Sequence, residues 1–430
     1  MSAPDLRFPA EWEPQSAVLI AWPHAGTDWA ARLAEVEATY VALVAAITRF
    51  QPVVIVVADA ALQAHAAARL ADADVDSAQI RFVHAPYDDT WLRDSGPITL
   101  AWSGTGHPAT ARTAPVRHGS EPERDESADA DSRPAHPCAG NSWSGTGHPA
   151  AARTAPVRHG SEPERDGFPS PRPRGEGGRR PDEGQAFHLL DFRFTGWGGK
   201  FEAGADDRLI ERLFDQRLFL NNSRQLIDFA LEGGAIETDG EGCLLTTWRC
   251  LHERHPAASR DELTAKLAAW LHQDRVLWLD HGALEGDDTD AHIDTLARFA
   301  APDAIVFQAC DDPADSHFAD LRAMADEIAA LRTRDGTPYR LFPLPWARPV
   351  LDEGRRLAAS YANFLIINGA VLMPAYDDPA DAAAAAVLAQ AFPSRDIVPV
   401  PCRPLIWQNG SLHCITMQLP QGLVESDLQA

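Results

Sequence analysis

The residues of this 430-residue chain best suited to chemistry are a cysteine, a histidine and three acids: Cys414, His292, Asp94, Glu232 and Asp294. A thiolate nucleophile needs a proton-transfer partner and something to stabilise developing charge. His413 adjoins Cys414, and in an extended segment neighbouring side chains point to opposite faces. A more distant histidine must therefore serve. His292 stands between Asp290 and Asp294, acids that could orient its ring and favour its protonated form. Carboxylates suit an acyl hydrolase badly, because they would repel the oxyanion it develops. They suit a guanidinium, which is planar, permanently cationic and rich in N–H donors that match carboxylates in pairs. In that chemistry Asp94 and Asp294 grip the cation, and Glu232 holds a third nitrogen or the histidine. Cys414 attacks the central carbon and His292 protonates the departing ammonia. A water activated by the same histidine then cleaves the thiouronium to a urea. None of these steps calls for a metal or an organic cofactor.

Plainer roles compete at each position. A lone cysteine is often a small buried hydrophobe, and a histidine in an acidic loop is often simply solvated. The run Asp287-Asp288-Thr289-Asp290 resembles a cation loop, but position six is not glycine and no glutamate closes it, so the EF-hand template fails. Gly233-Gly234 and Gly198-Gly199 read as turn glycines before phosphate cradles.

The elements that must position these residues repeat a unit of helix, strand, polar loop and hairpin. Ala60–Ala71 reads as a helix and Ile80–His84 as a strand, followed by the loop with Asp88, Asp89, Trp91 and Asp94. A helix over Asp206–Phe214 and a strand over Gln225–Phe229 lead to Glu232, then to a hairpin turning at Asp239-Gly240. Ser259 caps a helix over Arg260–Leu271, and the strand Arg275–Leu279 leads to His292. A helix over Ala314–Leu331 and a strand over Tyr339–Phe342 lead to a hairpin turning at Asn368-Gly369. A helix over Pro379–Ala391 and a strand over Ile397–Val400 lead to Cys414. Asp94, Glu232, His292 and Cys414 thus each follow a strand that follows a helix, in four different units. A pseudo-symmetric ring of such units would bring them to one axis.

One stretch stands apart. Residues 102–125, WSGTGHPATARTAPVRHGSEPERD, recur at 143–166 with only Thr110 replaced by Ala151. From 103 to 186 arginines and acids nearly balance and aromatics are scarce, which argues against an RNA-binding arm. Such a Pro-, Gly-, Ser- and Arg-rich stretch buries too little to order itself. It is expected to be a disordered insertion, 103–186, in a surface loop of a single domain spanning 1–430. Without it, residues 96–100 and 187–192 read as one hairpin.

The net charge of −24 argues against nucleic acid and anionic membranes as partners and would attract a cation. No stretch approaches a membrane span, and the N-terminus lacks a signal-peptide pattern. The 6 cysteines form no C-x-x-C, so a reducing cytoplasm fits best. Self-association into a homo-oligomer is left open.

Seven stretches carry a resemblance: FPAEWEPQSAVLIAWPH (8–24), DDTWLRDSGPI (88–98), FRFTGWGGKF (192–201), LEGGAIETDGEGCLLTT (231–247), GDDTDAHIDTLARF (286–299), SYANFLIINGAVLMP (360–374) and LHCITMQLP (412–420). The chain resembles the agmatine deiminase and bacterial (Porphyromonas-type) peptidylarginine deiminase family. The resemblance implies an α/β pentein fold, a propeller of five ββαβ-like units around a pseudo-fivefold axis. It implies a hydrolase of the C–N bonds of linear amidines with catalytic Cys414, His292, Asp94, Asp294 and Glu232, and no metal or cofactor. Trp91 joins Asp94, Asp294 and Glu232 as an expected substrate-binding residue. Dedicated agmatine deiminases usually read close to GGGNIHCIT, where this chain has QNGSLHCIT, so it lies nearer the peptidylarginine-named branch. With no secretion signal and no added C-terminal domain, a small guanidine is favoured. Agmatine comes first, giving N-carbamoylputrescine for putrescine biosynthesis. Peptidylarginine or arginine deimination to citrulline is the alternative. An amidinotransferase or a non-catalytic guanidine-binding protein follows behind.

Overall fold

The structure, a computed structural model, describes residues 6–102 and 186–425. It is an α/β fold in which five small sheets share one pairing scheme, an antiparallel pair whose second strand is joined by a parallel strand, beside a sixth, two-stranded ribbon of Leu351–Asp352 and Arg355–Arg356. In the first, Ile98–Trp102 pairs with Phe187–Arg193, and Asn222–Ala230 runs parallel to it. The second joins Ile236–Thr238, Cys243–Thr247 and Arg275–Leu279. The third joins Ala297–Ala301, Ala304–Gln308 and Arg340–Leu344, and the fourth Leu365–Ile367, Ala370–Ala375 and Asp396–Pro401. The fifth is closed by the two ends of the chain. Met417–Pro420 pairs with Gln15–Ala21, and Val53–Val57 and Ile80–His84 follow in parallel.

Local chemistry explains the elements. The β-branched run Val53–Val57 is buried throughout, as suits a parallel strand covered on both faces. A helix separates the second and third strands of each of the five, because a parallel connection needs a crossover. Ser259 caps Arg260–Leu271 through a full capping box with Glu262. Gly240 and Gly369 take the positive φ, 74° and 75°, that their hairpin turns require.

Several boundaries move: the strands read over Gln225–Phe229 and Ile397–Val400 span Asn222–Ala230 and Asp396–Pro401, and the helix read over Asp206–Phe214 is α-helical over Leu209–Asp215. The helix read over Ala314–Leu331 spans Phe318–Ala330. Its would-be first turn is held open by Asp315, which accepts from the backbone N–H of His317 and pairs with Arg356. The helix read from Pro379 begins at Asp381, and the strand read over Tyr339–Phe342 spans Arg340–Leu344. The hairpin that joins the flanks of the insertion is present, and the N–H of Trp102 donates to the carbonyl of Ala186 at 3.0 Å. Apart from Ala186, the expected insertion 103–186 lies outside the described residues. Among the described residues no helix is long and apolar enough to cross a membrane.

Candidate active site

In each of the five sheets the chain leaves the last parallel strand through a connector to the next antiparallel pair, and these connectors carry the candidate residues. Asp94 lies on the one-turn helix Leu92–Ser95. Glu232 precedes the turn Gly233–Ala235, and His292 and Asp294 flank the start of the turn Ile293–Thr295. Cys414 lies in the turn before Met417–Pro420. The fifth connector contributes Asn363, which the sequence reading did not single out. Its Nδ2 lies 3.2 Å from the Cys414 sulfur, and its Oδ1 accepts from the His413 N–H at 2.9 Å and from the thiol at 3.4 Å. Two signals pointed to it: the fifth copy of the repeat lacked an assigned polar residue, and Asn363 sits in the SYANF stretch.

All five predicted residues are brought together, and all are buried. Nδ1 of His292 lies 3.6 Å from Asp94 Oδ1, and Nε2 lies 3.8 Å from Glu232 Oε2. The ring is therefore flanked by Asp94 and Glu232, which corrects the expectation that Asp290 and Asp294 orient it. Asp290 turns instead to Arg254, at 2.6 Å. Asp294 Oδ2 faces the Cys414 sulfur at 3.7 Å and His413 Nδ1 at 2.8 Å. The segment holding His413 and Cys414 is a turn and not the extended stretch expected, and both ring nitrogens of His413 are engaged by acids. Its second nitrogen meets Glu11 at 2.7 Å, so the ring braces Asp294 from behind. Glu11 is buried with Arg298 at 2.9 Å and Arg93 at 3.4 Å.

Gly234 explains the Leu-Glu-Gly-Gly run better than a turn does. Its N–H donates to Asp94 Oδ1 at 3.0 Å. A Cβ there would meet His292 Nδ1 at 2.6 Å, Asp94 Oδ1 at 2.7 Å and Asp294 Oδ2 at 3.2 Å. The position is a close approach between backbone and three functional groups, and only glycine fits.

Buried acids and one buried histidine set the electrostatics of the site. Burial pushes Asp94 up to about 6; His292 opposes this, and Asp294 and Glu232 add to it. Burial also works on Asp294 and Glu232, yet both stay below the usual carboxylate range. His413 holds Asp294 down, and His292 and Arg254 hold Glu232 down. Burial disfavours charge on His292, but Asp94 and its other neighbours outweigh it and raise the imidazole well above its ordinary value. Burial, Asp294 and Asp94 raise the Cys414 thiol. Asp294 Oδ1, Glu232 Oε2 and both ring nitrogens of His292 are buried with no hydrogen-bond partner among the described residues.

A cavity of about 740 Å³ opens onto Cys414 and Asp94. Trp91, Trp197, Phe201 and Trp407 give it aromatic walls, and the indole N–H of Trp197 donates to Asp94 Oδ2 at 2.9 Å. Acids outnumber bases in its lining. The two bases are Lys200, bound to Asp290 at 2.7 Å, and Arg355, bound to Asn409 and the Trp407 carbonyl. For a metal, the nearest candidate set is Glu232, Cys250 and His292, whose ligand atoms lie within 4.8 Å of one another. Arg254 lies 2.7 Å from the other oxygen of Glu232, and its positive charge works against a divalent ion there.

The sequence profile of the Porphyromonas-type peptidyl-arginine deiminases matches residues 7–119 and 179–420. The chain belongs to that family. An agmatine deiminase from Pseudomonas fluorescens is 30% identical, over 96% of this chain and 95% of that protein. A solved Porphyromonas gingivalis structure, provisionally named an arginine deiminase, is 37% identical with a TM-score of 0.73, covering 98% of this chain and 100% of the other. The C. jejuni agmatine deiminase superposes with a TM-score of 0.71 at 26% identity, covering 98% of each chain.

Proposed function

We propose that the chain is a guanidine deiminase whose first substrate is agmatine, hydrolysed to N-carbamoylputrescine and ammonia. The observation that carries this reading is the pair of buried carboxylate oxygens without a hydrogen-bond partner among the described residues, Asp294 Oδ1 and Glu232 Oε2, on acids that face the Cys414 thiol and His292 respectively. A buried carboxylate oxygen without a donor is costly, and a guanidinium supplies N–H donors with a compensating charge. Family membership and relatives named agmatine deiminase support the same chemistry. In this reading the five sheets are blades around a pseudo-fivefold axis. The convergence of five connectors on one point supports that arrangement.

Cys414 is the nucleophile. Carboxylates around it keep the thiol protonated until the cation arrives, and the bound guanidinium then offsets them and lowers the cost of the thiolate. The thiol proton passes to solvent water as the sulfur adds to the guanidinium carbon to give a neutral tetrahedral adduct. Protonated His292 gives its proton to the leaving nitrogen, ammonia departs, and a thiouronium remains. His292, now neutral, takes a proton from water as the hydroxide adds to the same carbon. Collapse expels the Cys414 thiolate, the ureido oxygen gives up its proton, and the thiolate takes one up, which restores the thiol and leaves the neutral ureido product. Asp94, Asp294 and Glu232 hold the guanidinium flat, Asn363 orients the sulfur, and the aromatic walls with Trp91 line the alkyl arm.

The tail of the substrate is read by the outer cavity. Asp89 and Asp206 lie there, each pushed by burial to about 7, with neighbouring acids adding to the shift. An ammonium suits this wall. A free carboxylate does not, because Lys200 and Arg355 are already engaged. The 37% identity to the Porphyromonas gingivalis protein keeps arginine as the second reading. Ammonia and ureido product are to be measured with agmatine, arginine, methylguanidine and an arginine-containing peptide, without an amine acceptor. Agmatine is expected to have the highest kcat/KM. Turnover only with an added amine acceptor would make the protein an amidinotransferase.

A further inference from the structure

Arg254 has no place in the chemistry above, yet it touches both halves of it. Its side chain is only 1% exposed. Its Nε donates to Glu232 Oε1 at 2.7 Å, one terminal nitrogen to Asp290 Oδ2 at 2.6 Å, and the other to the Thr289 carbonyl at 3.1 Å. The guanidinium thus spans from one connector of the site to another. The turn it grips is strained, because Asp290 and Ala291 both take positive φ, 67° and 70°. Two consecutive non-glycine residues in the left-handed region persist only where surroundings over-determine them. The next residue is His292.

The remaining anchors do not replace Arg254. Asp287 accepts from the N–H groups of Thr289 and Ala291, and the Thr247 hydroxyl donates to the Ala291 carbonyl at 2.8 Å. These shape the turn from within or from the neighbouring strand, and neither reaches Glu232. Lys200 approaches Asp290 from the cavity rim at 2.7 Å but is partly exposed. We propose that Arg254 is a positioning residue that locks Glu232, as a carboxylate, to the turn carrying His292, so that acid/base group and guanidinium acceptor move as one body. The proposal rests on the roles given above to His292 and Glu232. Burial works against the charged form of Glu232. The ionisable groups that face it are Arg254, His292, Cys250, Asp94 and His255. Of the cations among them, only Arg254 has a charge that does not titrate in the working range.

The test uses full-length protein with Arg254→Gln, Arg254→Lys and Asp290→Asn. Two readouts are needed: kcat and KM on a guanidine substrate, and the titration of Glu232 followed by carboxyl ¹³C NMR. In Arg254→Gln the Glu232 pKa is expected to rise by more than one unit and kcat to fall at least tenfold, with a smaller change in KM. Arg254→Lys keeps a charge at Glu232 but cannot span three acceptors, so its Glu232 titration should stay near wild type while kcat falls. Asp290→Asn should behave in the same way. An unmoved Glu232 titration in Arg254→Gln overturns the proposal, and so does wild-type kcat in both Arg254→Lys and Asp290→Asn. If Arg254→Gln does not fold, the other two variants decide. If wild-type protein turns over no guanidine, the functional reading fails, while the NMR titration still judges Arg254 separately.

Discussion

Replacing Gly234 by alanine adds one methyl group where the backbone meets three functional side chains. The new carbon would lie 2.6 Å from His292 Nδ1 and 2.7 Å from Asp94 Oδ1. Ordinary contact begins near 3.4 Å, so one of the groups must retreat by about 0.8 Å. Neither can do so freely. Asp94 is held by the Gly234 N–H and the Trp197 indole, and His292 follows a turn tied by Arg254 and Thr247. Misplacement of about 1 Å can cost on the order of 10²-fold in rate, equivalent to ~2.7 kcal/mol of transition-state stabilisation. Gly234→Ala is therefore expected to lower kcat/KM for agmatine at least ~10²-fold. Overpacking in a buried site should also remove about 1–3 kcal/mol of stability. Steady-state ammonia release together with urea denaturation measures both. Kinetics within about twofold of wild type in a folded Gly234→Ala protein would refute the close-approach reasoning, because one tenfold step already corresponds to ~1.4 kcal/mol.

Three further outcomes follow from the same geometry. Cys414→Ala should abolish ureido product while leaving the unfolding transition within about 1.5 kcal/mol of wild type; measurable residual turnover would exclude Cys414 as nucleophile. The kcat/KM profile should lose activity as pH falls through about 6, where Asp94 gains its proton. The sign follows from the requirement for the carboxylate: neutral Asp94 cannot balance a guanidinium. Asp94→Asn should cost at least ~10-fold in kcat/KM and flatten that limb, and an unchanged limb would assign it to another group. Deleting 103–186 and closing Trp102 to Phe187 with a short turn should keep activity and cooperative unfolding, because the strands it joins already pair beside the 3.0 Å bond from Trp102 to Ala186. Loss of either would show that the deleted residues contribute to the fold.

Much of the site was legible before any coordinates. Cys414, His292, Asp94, Glu232 and Asp294 could be named from residue type and motif, since a reaction on a guanidinium restricts the side chains that can perform it. The alternation of helix, strand and hairpin was also legible, because turn dipeptides such as Asn368-Gly369, the Ser259 cap and continuous β-branched runs are local signals. Helix starts were less so. Asp315 and Asp378 accept from nearby backbone N–H groups in turns that sequence alone does not distinguish from a first helical turn.

What the amino-acid sequence determined by itself, then, was the reaction class and the repeating unit, both consequences of residue type and short-range spacing. Only the tertiary structure decided which acid faces which base. Sequence proximity suggested Asp290 and Asp294 as partners of His292, but the left-handed pair Asp290-Ala291 turns the chain so that Asp290 reaches Arg254. The carboxylates beside the ring arrive instead from residues 94 and 232. The same holds for Asn363 at the sulfur and for Gly234 between three side chains. Contacts between connectors far apart in the chain depend on how five sheets pack, and the energies that choose them have no counterpart within a single segment.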